Sequence, residues 1–339
     1  MLIISAATAR ALSAGGSIVM ASMCQAGCGG ETGGGPTNQG TSTPPPASVG
    51  HALVYHDVLG QVLLLNAGLG GADDAQRIGR PTRIWGWTGS TWALLDSLGP
   101  PIRNLAGVAY DSRRNVIVLH GGTASRELNY GETWEWGQSG WVQRVASGPG
   151  VRSHTQMAYD RARGRSVLFG GQNAAGDQFP ADTWEWDGTA WTRAATSGPP
   201  PRVHHAMMYD AASNRVLVFG GVEPNVRDLG DAWAWDGTRW TQLAGTSPRT
   251  HAQLAALSGG TPAVVGGMTS SGGAGTMLVL EQNAWRAVTV TGPSPRYLPA
   301  VAFDARRNVL VMYGGGDAAG SALFADTWEY DGTSWRRRP

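Results

Sequence analysis

Five arginines stand at equivalent points of this 339-residue chain: Arg103, Arg152, Arg202, Arg249 and Arg296. Four acids, Glu132, Asp182, Asp231 and Asp326, each precede an aromatic run. Guanidinium and carboxylate together form strong, often bidentate hydrogen bonds. A residue that recurs from copy to copy more often serves the repeat than a ligand. The two sets therefore read as a structural ring of Arg–carboxylate pairs that ties neighbouring copies together. His154, His204 and His251 follow three of the arginines by two residues, with His205 adjacent and His51 in the first copy. Two readings stay open for them. They bond backbone, or they line a polar, partly cationic basin for an anionic or carbohydrate ligand. A metal would need their nitrogens within about 2 Å of one point, which the separation of the copies opposes. No metal and no cofactor is expected. Loop residues that differ between copies are the better ligand-binding candidates. They are Arg126, Glu127 and Tyr130; Asp177 and Phe179; and Glu223, Arg227 and Asp228, with Asp317 and Phe324 in the last copy. An acid–base reading would pair His204 with Glu223.

Composition excludes other chemistries. All 26 basic residues are arginine, so no lysine exists for a Schiff base or a phosphate loop. A net charge of +1 with 15% charged residues argues against a nucleic-acid stripe or a polybasic membrane surface. The only cysteines, Cys24 and Cys28, lie in the first tenth of the chain. That leaves none for a zinc site, an iron–sulfur centre or a disulfide framework beyond it.

Residues 1–28 read as an export signal: Arg10, then a moderately apolar run from Ala11 to Met23, then Ala26-Gly27-Cys28. One reading is a lipoprotein leader with Cys28 as the acylated residue. The other is plain export with cleavage among the small residues. Residues 29–48, rich in Gly, Thr and Pro, read as a disordered linker. No apolar run reaches the roughly 18 residues of a membrane span. Localisation is expected as a periplasmic or outer-membrane lipoprotein or a secreted protein, with membrane contact only through a lipid anchor.

From about residue 49 the chain repeats. Trp-x-Trp followed five residues later by Trp occurs at Trp85, Trp134, Trp184 and Trp233, as Trp328-Glu329-Tyr330 with Trp335, and with only Trp285 kept in the fifth copy. The final tryptophans are 45 to 50 residues apart. Glycine doublets precede five of the sets, Gly121-Gly122 being the first, with Ala67-Gly68 in copy one. Each copy holds four short strand-like runs, A to D. In copy three these are Thr155 to Tyr159, Ser166 to Phe169, Thr183 to Trp186 and Ala190 to Ala194. Asp187-Gly188 between C and D is a hairpin signal. Six four-stranded antiparallel units at this period predict an all-β, six-bladed β-propeller. The blades run over about 49–101, 102–150, 151–201, 202–248, 249–295 and 296–339.

The glycine doublet ending run B, the aromatic of run C, the tryptophan of run D and the Arg-x-His start (Arg152-Ser153-His154, Arg202-Val203-His204, Arg249-Thr250-His251) resemble the Kelch-repeat family. The likeness is to the propeller of the galactose-oxidase central domain, in a bacterial exported form. It covers residues 50–339 and implies a fold more than a function. Oxidase chemistry of that kind needs a tyrosine–cysteine cofactor, and no cysteine follows residue 28. The resemblance implies a ligand face formed by the B–C and D–A connections. The expectation is a monomeric, non-catalytic module recognising a protein or glycan. The alternative is an exported carbohydrate-active enzyme of the sialic acid mutarotase type.

Overall fold

The short apolar runs do form strands. The computed structural model describes residues 44–65, 78–125, 128–225 and 227–339. The expected leader with Cys28, most of the linker, Ala67-Gly68, Arg126 and Glu127 lie outside them. Among the described residues there are six four-stranded antiparallel sheets, each from one contiguous stretch of chain in the order A-B-C-D. Blade three is typical: Gln156–Asp160, Arg165–Phe169, Thr183–Trp186 and Trp191–Ala195. The A strands touch in a closed ring, blade six meeting blade one. This is the six-bladed propeller that the repeat predicts. No described helix is long and apolar enough to cross a membrane.

Each strand's composition follows its place in the blade. The B strands, such as Val116–His120 and Arg165–Phe169, are buried almost throughout, because a neighbouring blade covers each face. The D strands lie at the rim and are largely open to solvent, as in Gly140–Arg144. The turns are built by local side chains. Asp187 Oδ1 accepts the backbone N–H of Thr189 and Ala190 and the Thr189 hydroxyl, at 2.8, 2.9 and 2.7 Å. Those bonds, led by that from Ala190, pull its pKa down to about 2. Asn115, Asn214 and Asn308 close the A–B turns of three blades at φ 54° to 56°, a left-handed conformation that asparagine tolerates.

Blades meet through the second and third tryptophans of the repeat. Trp186 and Trp191 of blade three donate to Glu135 Oε1 and Thr133 Oγ1 of blade two, each at 2.8 Å. Trp235 and Trp240 of blade four do the same to Glu185 and Thr183. Trp87 and Trp92 of blade one reach Glu329 and Thr327 of blade six, which closes the ring without a shared strand. The segment before blade one adds to that closure. Tyr313 donates its hydroxyl hydrogen bond to the Pro45 carbonyl, and the Gly315 N–H donates to Ser48 O at 2.9 Å. So residues 45–48, read from the sequence as the end of a linker, pack on blade six.

Candidate functional site

The loop face is organised by the leading arginines. Arg103, Arg202 and Arg296 are almost completely buried, and Arg152 nearly so. Their NH1 groups meet Glu132, Asp182, Asp231 and Asp326 at 3.0, 3.0, 2.7 and 2.6 Å for blades two, three, four and six. Arg202 is bidentate, with NH2 at 2.8 Å from Asp231 Oδ2. Each NH1 also donates to the carbonyl of the first doublet glycine, as from Arg202 to Gly220 at 3.0 Å. These pairs lie within one blade. They do not bridge neighbours, contrary to the expectation of an inter-blade ring. The inter-blade tie is backbone: the second doublet glycine donates to the carbonyl of the next blade's arginine, as Gly122 to Arg152 O at 2.8 Å. Glycine is required at the first doublet position too, since a Cβ on Gly121 would lie 2.3 Å from Arg152 O.

Two residues past each arginine position the chain turns left-handed. Gly50, Leu105, His154, His204, His251 and Leu298 all have φ between 47° and 65°. Hydrogen bonds link successive members across blades: Leu105 N–H to Gly50 O, His251 N–H to His204 O and Leu298 N–H to His251 O, at 2.8 to 2.9 Å. Five of the six are not glycine, so the geometry is imposed by these ties at a cost in backbone strain. The ring surrounds one end of a cavity of about 100 Å³ between the A strands, lined by Gln156, Gln253, Met157, Met207, Leu254 and Val301 among others.

The three expected histidines do come together on this ring. His204 stacks on His251 with centroids 3.7 Å apart, and His154 meets His204 edge-on at 4.6 Å. His154 Nδ1 pairs with Ser153 Oγ at 3.0 Å, and His251 Nδ1 with Thr250 Oγ1 at 2.8 Å. Burial lowers His154 and His251 to about 4, and it also holds His204 well below the ordinary imidazole value, helped by the neighbouring imidazoles. The mouth is therefore polar but uncharged at neutral pH, not the partly cationic basin envisaged from the sequence. Among the described residues no His, Cys, Asp or Glu group has the arrangement of a metal site.

The remaining candidates separate. His205 leaves the face altogether: it is buried between blades three and four against Phe169, at about pKa 3. His51 is likewise buried against Tyr313, with Nε2 3.0 Å from the Tyr313 carbonyl oxygen. Tyr130 is buried beneath Arg103, whose guanidinium carbon sits 3.8 Å from the ring centre, so it supports the arginine and offers little to a ligand. Phe324 takes the same place under Arg296 at 4.2 Å. Asp177 is exposed and Phe179 partly so, on a loop pinned by Asn173, which bonds Asp177 and the Gln178 N–H. In blade four, B and C continue as one hairpin, Arg215–Val222 and Asp228–Trp235. Glu223 Oε1 accepts from Arg227 NH2 at 2.9 Å across its tip. That bond occupies the carboxylate proposed as a partner for His204. Arg227 and Asp228 project into solvent. Sequence reasoning missed Tyr297, which meets His251 edge-on at 6.1 Å, and the two channel glutamines. It also passed over Thr276, although its place in the slot held by an acid in four other blades is legible once the copies are aligned.

A family model described as the KLHDC2/KLHL20/DRC7 Kelch-repeats domain matches residues 153–337. No curated protein matches the chain. A solved structure described as "Structure of YjhT" superposes with a TM-score of 0.66 at 14% identity, covering 88% of this chain and 100% of that one. At that identity the likeness is one of fold.

Proposed function

The chain belongs to the KLHDC2/KLHL20/DRC7 Kelch-repeats domain family, and from that premise we propose that it is a non-catalytic module whose B–C/D–A face recognises a protein or glycan. One observation carries this reading. The repeated polar groups of the face are engaged in building it, while the loops of blades three and four hold unlike side chains out on pinned backbones. Phe179 and Asp177 stand on one, Arg227 and Asp228 on the other. Loops ordered in advance lower the entropic cost of binding, and aromatic and arginine side chains supply the anchors. An acid–base mechanism fits the face less well, because its histidines stack on one another and Glu223 is bonded to Arg227. We further propose export, on the strength of the sequence of residues 1–43 alone. A lipid at Cys28 would appear in the mass of the mature N-terminus, and an intact Met1 would refute export.

The test is a glycan array and a displayed-peptide library, each probed with the protein and with Phe179→Ala, Arg227→Ala and Asp228→Ala. Graded losses of affinity, largest for Phe179 and Arg227, are expected. In parallel, acidic sugars are followed by NMR in the presence of the protein and of His204→Ala. Turnover by the parent that the variant abolishes would establish the enzyme reading instead.

A further inference from the structure

Blade five breaks the arginine pattern. In blades two, three, four and six the residue two before the first tryptophan of the C strand is acidic and meets the leading arginine. In blade five Thr276 holds that position, and the C strand begins at Met277. Arg249 is as buried as its counterparts, at 5% exposure. Its NH1 donates to the Thr276 carbonyl at 2.8 Å and its NH2 to Thr276 Oγ1 at 3.3 Å. Its Nε is buried with no partner. In the other four blades Nε donates to a carbonyl two or three residues earlier: Pro101, Pro149, Pro200 and Ser294. Among the described residues no carboxylate lies within ion-pair distance of Arg249. Burial alone lowers it, to about 10, so it stays protonated at neutral pH. A buried guanidinium with neutral partners and one unsatisfied N–H is strongly unfavourable against the same group paired with a carboxylate.

The slot is also reachable. The acids that fill it elsewhere keep 13% to 40% of their side-chain surface exposed. Gly275 is exposed and Thr276 only partly buried. We propose that Arg249 and Thr276 form a binding site for a carboxylate supplied from outside the chain, standing where the other blades carry their own Asp or Glu. A carboxylate reaching this slot would accept from the guanidinium N–H groups and from the Thr276 hydroxyl, and so supply the missing counter-charge. The site is independent of whether the loops of blades three and four bind a macromolecule. Its chemistry fits two sources, a free short-chain acid or the Asp/Glu side chain of a partner.

The test titrates the ¹⁵N-arginine-labelled protein with sodium formate, sodium acetate and N-acetyl-aspartate amide at constant ionic strength, set with a bulky sulfonate. The Arg249 Nε–H signal should shift saturably. The variant Thr276→Asp supplies an internal carboxylate. It should shift that signal without any additive, weaken formate binding at least tenfold and melt at a higher temperature. Response to formate and acetate alone would assign the site to free short-chain acids. An equal response to N-acetyl-aspartate amide would assign it to a side-chain carboxylate. No saturable shift with any of the three acids, or an unchanged titration in Thr276→Asp, would overturn the proposal. The parent titration decides even if the variant fails to fold.

Discussion

The seam between blades two and three and the seam between blades four and five join similar sheets by opposite means. In the first, Trp186 and Trp191 donate to Glu135 and Thr133, and Glu135 also takes Arg114 and Arg144 at 2.6 and 2.7 Å. In the second, Ala232 and Ala234 fill the Thr and Glu positions, and Leu278, Leu280 and Trp285 pack in the same cluster. Of the other four seams, three follow one pattern or the other and one mixes them. Seams three/four and six/one are polar. Seam five/six sets Met277 and Val279 against Tyr330 and Trp335. Seam one/two is mixed: Ile84 packs against Trp136 and Trp141, while Trp136 Nε1 donates to Asp96 Oδ2 at 2.8 Å. The arginine at the A–B turn tracks the glutamate: Arg114, Arg163 and Arg307 accompany Glu135, Glu185 and Glu329, whereas blade four has Ser213. The buried glutamate and its arginine come and go together, because a buried carboxylate is tolerable only when its partners are present. Losing one member makes the apolar solution the better one.

The largest loss of stability is expected at Glu329. Its oxygens accept from Trp87, Arg307 and Arg338, and the side chain is buried. Glu329→Ala leaves the Trp87 indole without its acceptor and takes a carboxylate from Arg338 and from Arg307, which keeps Asp304, and should cost about 3 kcal/mol. Val279→Ala in the apolar seam should cost about 2 kcal/mol, from lost burial and a small cavity. Urea midpoints measure both, and equal losses would mean that the polar latch is worth no more than packing.

Acid should separate the two kinds of seam next. Buried His56 lies in the mixed seam one/two, and each polar seam holds a buried histidine of its own: His51 at six/one, His120 at two/three and His205 at three/four. Burial lowers them to about 4, 3 and 3. Below pH 6.5 an unfolded histidine gains a proton that these do not, so the unfolded state binds more protons and stability falls with pH. Glu135 and Glu329 add a second loss below about pH 4.5. Burial works to raise them, but the indole and guanidinium bonds hold them lower. Between pH 7 and 4, hydrogen exchange corrected for its intrinsic rate should therefore speed up at the polar seams before it does in blade five. Uniform loss of protection would remove the distinction.

The smallest effect sits on single indole groups. Trp191→Phe deletes the bond to Thr133 and should cost about 1 kcal/mol. Trp141 Nε1 is buried without a partner, so Trp141→Phe should change stability by less than about 0.5 kcal/mol. Thermal melts of the pair would reveal a reversed order.

Much of this was legible in the residues. Tryptophan spacing, glycine doublets and Asp-Gly turns gave six blades and the strand order, because each follows from contacts within about fifty residues. The leading arginines and their acids were visible as sets, but their pairing within a blade was not, since a repeat has the same period whether it bonds to itself or to its neighbour. His204 and His205 show the limit most clearly. They are adjacent in sequence, yet one stands in the left-handed ring at the channel mouth and the other is buried against Phe169.

By itself the sequence determined the period, the blade count, the turns and the absence of lysine chemistry, all of them local or compositional properties. Only the tertiary structure decided that three histidines meet at one mouth, that Tyr130 and Phe324 lie under arginines, and that Arg249, unlike the other four, has no carboxylate partner among the described residues. Those facts depend on how closing the ring brings distant strands together, and on the direction in which a left-handed residue turns its side chain. A repeat pattern carries neither.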